Sequence, residues 1–92
     1  MTTGRDAAHR GMLKLMLRLP SLRGELQLLW RSDASLESLC EAYEAATVTL
    51  ERLLKKQGDG EAGLVEEYRT LCFDLETDVV VRCSIKQRRP HP

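Results

Sequence analysis

A heptad ladder that turns back on itself limits what this chain can fold into. Leu36, Leu39, Tyr43, Ala46, Leu50 and Leu53 recur at alternating steps of three and four. Beyond Gln57-Gly58-Asp59-Gly60, the residues Leu64, Tyr68, Leu71, Leu75 and Val79 do the same. Each set lies along one face of a helix, and two sets split by a short glycine-containing break predict two antiparallel helices zipped along one seam. The spacing predicts helices over residues 35–57 and 61–84, each roughly 35 Å long at 1.5 Å per residue. With the turn centred near residues 59–60, Leu53 meets Tyr68, Leu50 meets Leu71, Ala46 meets Leu75, and Tyr43 falls between Leu75 and Val79. A small residue opposite a large one at Ala46 lets the helices approach without a void. Residues 79–83 favour strand by propensity, but the heptad register runs through Val79 and Cys83, which keeps them helical.

A two-helix hairpin is too small to be stable alone. The chain has 92 residues with only four aromatic ones, Trp30, Tyr43, Tyr68 and Phe73, so its core is built mainly of Leu and Val. Cys40, Thr47 and Leu54 flank the first stripe, and Val65, Cys72 and Phe73 flank the second. The apolar surface is therefore wider than one seam needs and calls for a cover. Two covers offer themselves: the N-terminal helices of the same chain, or a second hairpin in a dimeric four-helix bundle. The expected cover is a homodimer.

Upstream, Asp6 to Leu19 reads as an amphipathic helix. Ala8, Met12, Leu15, Met16 and Leu19 share one face, and Arg10, Lys14 and Arg18 line another. Pro20 ends it by pushing Leu19 out of helical geometry. Ser21 then offers an N-cap for a short helix from Leu22 to Arg31, with Leu22, Leu26, Leu29 and Trp30 as its apolar face. Asp33 or Ser35 caps the first ladder helix, and Gly58 and Gly60 stop it. The expected architecture is one all-α domain: N-terminal helices over residues 6–31 and a hairpin over residues 35–84. The ends, residues 1–5 and the basic tail 85–92, are expected to be disordered.

Net charge is zero but unevenly spread. Residues 1–32 hold six Lys/Arg against two acids, residues 33–78 four against twelve, and residues 79–92 four against none. An acidic hairpin between basic ends predicts that the ends dock on the hairpin or on a second copy of it. The other reading is an anionic partner for the ends. Three cysteines without a secretory leader predict a reduced, cytoplasmic chain.

Little in the sequence points to chemistry. Cys40, Cys72, Cys83, His9 and His91 lack metal-ligand spacing. Cys72 and Cys83 lie about 16 Å apart along one helix, whereas Cys40 and Cys83 fall near register across the hairpin. The three thiols read as small buried hydrophobes. Neither histidine is placed beside a nucleophile by a scaffold, and Gly58-Asp59-Gly60 lacks the strand of a phosphate loop. No catalytic, cofactor-binding or metal-binding residue is expected. Nucleic acid is not an expected partner, because no aromatic residues interleave the cations and the acidic hairpin repels phosphate. The segment 6–19, with cations opposite a Met/Leu face, suits an anionic membrane surface, which is the alternative function.

Leu36, Leu39 and Tyr43, in the order Leu-x-x-Leu-x-x-x-Tyr, together with Tyr68, Leu71, Leu75, Asp78 and Val79 resemble the short YdcH-like bacterial proteins over residues 29–79. The lysine-rich second helix of that family is missing here. The resemblance implies a helical hairpin of unassigned function and adds no site.

The expected function is a non-catalytic helical assembly or adaptor module that contacts itself or another helical protein. The expected seam is Leu36, Leu39, Tyr43, Leu50, Leu53, Leu64, Tyr68, Leu71, Leu75 and Val79. Met12, Met16 and Trp30 are the expected exposed contact residues.

Overall fold

The structure, a computed structural model, describes residues 4–56 and 62–87. All its regular elements are helical: α1 (Gly4–Arg18), a single 3-10 turn (Pro20–Leu22), α2 (Arg23–Leu29), α3 (Ala34–Lys56) and α4 (Ala62–Gln87). The chain is a small all-α bundle, and Val79, Val80 and Val81 are helical despite their strand propensity. The expected stops at Gly58 and Gly60 lie outside the described residues, as do residues 1–3 and 88–92.

The helix boundaries follow local chemistry. Leu19 adopts φ −127° and ψ 66°, the non-helical geometry that a following proline imposes. The amide of Leu19 still donates to Leu15 O at 2.7 Å, closing the last turn of α1. Ser21 does not cap the next helix, as its sequence position suggested. It sits inside the 3-10 turn, and Leu22 stands at the N-cap of α2 without a side-chain bond. Helix α2 is correspondingly short, ending at Leu29 rather than Arg31. Asp33 is the cap of α3: its Oδ1 accepts from the amides of Ser35 at 3.0 Å and Leu36 at 3.3 Å, satisfying two of the free first-turn donors. Both ends of the expected disorder are too generous. Gly4 and Arg5 belong to α1, and residues 85–87 continue α4.

Helix α3 is the centre of the fold, with α1 along one flank and α4 antiparallel beside it. Tyr43 lies opposite Glu76, and Asp33 opposite Arg82, close to the register read from the ladder. Ala8, Met12, Leu15 and Met16 from α1 meet Leu26 from α2, Leu36, Cys40, Tyr43 and Ala46 from α3, and Cys72, Leu75, Val79 and Cys83 from α4 in one core. The expectation that Met12 and Met16 form an exposed surface is therefore corrected. They are 3% and 7% exposed, because α1 supplies the cover the hairpin needs within its own chain. Trp30 is half-buried against the same core and stacks on His9, with ring centroids 5.3 Å apart.

The approach of α1 to α3 depends on Gly11. A Cβ there would stand 1.8 Å from the carbonyl oxygen of Cys40, so backbone lies against backbone.

The expected seam is only partly the core. Leu36, Tyr43, Leu75 and Val79 are buried, while Leu39, Leu50, Leu53 and Tyr68 are half-buried. Leu64 and Leu71 are exposed, at 43% and 42%, and Cys72 and Cys83 are buried in their stead. The physical reason is that α4 faces two neighbours. Its buried arc turns from α3 toward the side carrying α1 and α2, and leaves Leu64 and Leu71 on the opposite flank.

Candidate interaction surface

The basic stripe of α1 is consumed inside the fold. Arg10 Nε donates to Glu44 Oε2 at 2.9 Å, and Lys14 Nζ stands 2.9 Å from Glu44 Oε1 while donating to Thr47 Oγ1 at 2.8 Å. Arg18 Nε donates to Glu76 Oε2 at 3.2 Å, and Arg5 Nε lies 3.8 Å from Glu37. The cations of α1 thus pair with acids of the hairpin, while Arg88 and Arg89 lie outside the described residues. For residues 6–19 to lie on an anionic membrane, α1 would have to leave both its core contacts and these acids. No described helix is long and apolar enough to cross a membrane.

Glu44 is buried, which raises its pKa. The hydrogen bonds and charges of Lys14 and Arg10 outweigh that and hold the carboxyl below its ordinary value. A carboxylate whose folded pKa is depressed adds stability above the unfolded value of about 4.3. That contribution disappears as pH falls through the lower folded value. Glu44→Gln is therefore expected to lose stability at neutral pH and to flatten the acid limb of the stability curve below about pH 4.3, measured by urea unfolding across pH. An acid limb identical to that of the parent would show that Glu44 contributes no net charge pairing.

A second cluster ties three helices together. Glu76 Oε2 accepts from both Tyr43 Oη on α3 and Arg18 Nε on α1. Burial, and then the bond to Glu76, raises the Tyr43 pKa, so the phenol remains a donor. Asp33 accepts from Arg82 in fork geometry, at 2.9 Å from Nε and 3.1 Å from Nη2.

The three cysteines are free and buried. Burial, with smaller contributions from Cys83 and Glu37, pushes the Cys40 thiol up to about 12. Burial likewise raises Cys72 and Cys83. A nucleophile or metal ligand needs the thiolate, which these surroundings disfavour. Among the described residues no His/Cys/Asp/Glu cluster could hold a metal ion. His9 is exposed beside Trp30, and His91 lies outside the described residues.

What remains open is surface. The ion pairs, Gly11 and Leu26 place α1 and α2 on one side of the hairpin, and none of the described residues covers the opposite side. A groove of about 620 Å³ runs there between α3 and α4, lined by Ala34, Ser35, Ser38, Leu39, Asp78, Val81, Arg82 and Ile85. Ile85 is 57% exposed, and Val81, Leu71 and Leu64 are exposed as well. Around the C-terminal end of α1, Leu17, Leu54 and Phe73 are also exposed, beside two smaller grooves of about 280 and 340 Å³.

Of the expected contact residues only Trp30 keeps partial exposure. The expected seam residues Leu64 and Leu71 turn out to be surface. Gly11, Glu44 and Glu76 were not singled out in the sequence. For Gly11 the available signal was a glycine inside a helix, on the same apolar face as Ala8 and Leu15. No family model, curated protein or solved structure matches the chain. The resemblance to the YdcH-like proteins rests on its two motifs alone.

Proposed function

We propose that this chain is a non-catalytic helical assembly module that acts through the uncovered flank of the α3/α4 hairpin, in a reducing compartment such as the cytoplasm. One observation carries the reading: a row of large apolar side chains, Leu64, Leu71, Val81 and Ile85, is exposed on the side of the hairpin that α1 leaves open. Half-buried Leu39 and Leu53 extend this row, and exposed apolar side chains gathered on one face are the usual mark of an interaction site. The free, buried thiols support the reducing location.

Light scattering of the full chain at two concentrations tests this. The mass is expected to rise above the 10.4 kDa of one chain as concentration increases. Leu71→Glu is expected to keep the helicity of the parent, since Leu71 is exposed, and to hold the protein at monomer mass. A parent chain that stays monomeric at both concentrations, or a Leu71→Glu variant that associates as strongly as the parent, refutes the proposal.

A further inference from the structure

Resting on that reading, we infer that the occupant of the open flank is a second copy of this chain, with both hairpin tips at the same end and α3 of each copy lying on α4 of the other. The face is large enough. Over the 23 residues of α3 it is roughly 35 Å long and two helices wide, or on the order of 700 Å². A standard interface buries about 800 Å² per partner.

The two helices of the flank are unlike each other, and the difference selects the arrangement. At 100° per residue, the open side of α4 carries Leu64, Leu71 and Ile85 interleaved with Glu67, Asp74 and Asp78, bulky and acidic apart from Arg82, which Asp33 of its own chain holds. The open side of α3 carries Ser38, Ala42 and Ala45, small and uncharged, with exposed Glu41 at its edge, and then Arg52 and Lys56 toward the tip. Among the described residues neither Arg52 nor Glu67 has an ion pair.

A two-fold axis parallel to the hairpin sets α4 of one copy on α3 of the other at equal height. Large side chains then meet small ones, and Arg52 of each copy comes opposite the partner's Glu67. A two-fold axis across the hairpin, which would point the tips in opposite directions, sets α4 on α4. Asp74 would then meet its own symmetry mate, with like charges and bulky residues against each other. Complementary potentials choose register and orientation in this way.

The test has two parts. Arg52→Glu and Glu67→Arg, both at exposed positions, are each expected to raise the dimer dissociation constant about tenfold by sedimentation, and the double exchange to return it to within about threefold of the parent. A nitroxide pair at Lys56→Cys, with the native thiols buried, is expected to report an inter-copy distance of roughly 15–25 Å. The crosswise arrangement gives roughly 35 Å or more, because Lys56 lies eleven residues from the hairpin middle near Ala45. A dimer with the long distance, or one in which the double exchange restores nothing, overturns this arrangement and leaves the assembly module standing. A chain with no dipolar coupling and monomer mass at every concentration overturns both.

Discussion

Gly11→Ala is expected to destabilise the fold strongly, although alanine is the better helix former. A glycine-to-alanine change inside an unhindered helix stabilises by about 1 kcal/mol. At Gly11 the new Cβ would lie 1.8 Å from the Cys40 carbonyl oxygen and 2.7 Å from its carbon. Both atoms are backbone in the middle of α3, so no rotamer change relieves the clash. Helix α1 would have to lift off α3, opening the core around Met12 and Leu15. Overpacking against a rigid wall costs about 1–3 kcal/mol, and the lost burial adds to it, so about 3 kcal/mol or more is expected.

A domain of this size has about 5–14 kcal/mol of stability to lose, and each kcal/mol moves its melting temperature by about 4–8 °C. The melting temperature of Gly11→Ala should therefore fall by more than about 12 °C. Gly24→Ala is the control. Nothing lies within 4 Å of its Cβ position, so the intrinsic propensity should show through as a gain of about 1 kcal/mol. Equal behaviour of the two variants in thermal melts would mean that α1 does not pack on α3 at Gly11.

Asp33→Ala is expected to be the next most damaging change. The carboxylate, 5% exposed, caps the amides of Ser35 and Leu36 and grips the Arg82 guanidinium through both oxygens. It therefore holds the start of α3 against the last turns of α4. Loss of the cap alone costs about 1 kcal/mol. Removing the buried side of this part-buried charge pair leaves a guanidinium without its partner, tempered because the Arg82 side chain retains 33% exposure and can reach water. Urea unfolding is therefore expected to show a loss larger than that of the cap alone.

Asp33→Asn separates the two roles, since its amide oxygen can still cap while the ion pair is gone. It should fall between Asp33→Ala and the parent, and its deficit should shrink in high salt. An Asp33→Asn variant as stable as the parent would assign the whole effect to the cap.

How much was legible in the sequence differs by element. The hairpin was legible because its period is local. Leu36, Tyr43, Leu75 and Val79 each repeat the heptad within one helix, and a polar break with two glycines separates the arms, so pattern alone places Tyr43 between Leu75 and Val79, where the structure shows it bonded to Glu76. The stop at Leu19 was legible because proline acts on its immediate neighbour. The helix following it was misread at both ends, since Ser21 has the chemistry of a cap but is drawn into the 3-10 turn that Pro20 starts.

The candidate surface was legible only in negative form. The excess of apolar positions beside the seam showed that a cover was required. It did not show that α1 would provide one on a single side, nor which leucines would stay outside.

The sequence by itself determined that the chain is all-helical, where its long arms run, and that they form an antiparallel hairpin whose apolar excess needs a cover. Only the tertiary structure decided that Met12 and Met16 are core, that Leu64 and Leu71 are surface, and that Gly11 lies against the backbone of Cys40. The reason is geometric. Periodicity records which residues share a face of one helix, whereas the exposure of that face depends on where a third helix settles. That placement is set by backbone contact at Gly11 and Cys40, and by ion pairs such as Arg10 with Glu44 and Arg18 with Glu76, whose members lie 34 and 58 residues apart in the chain.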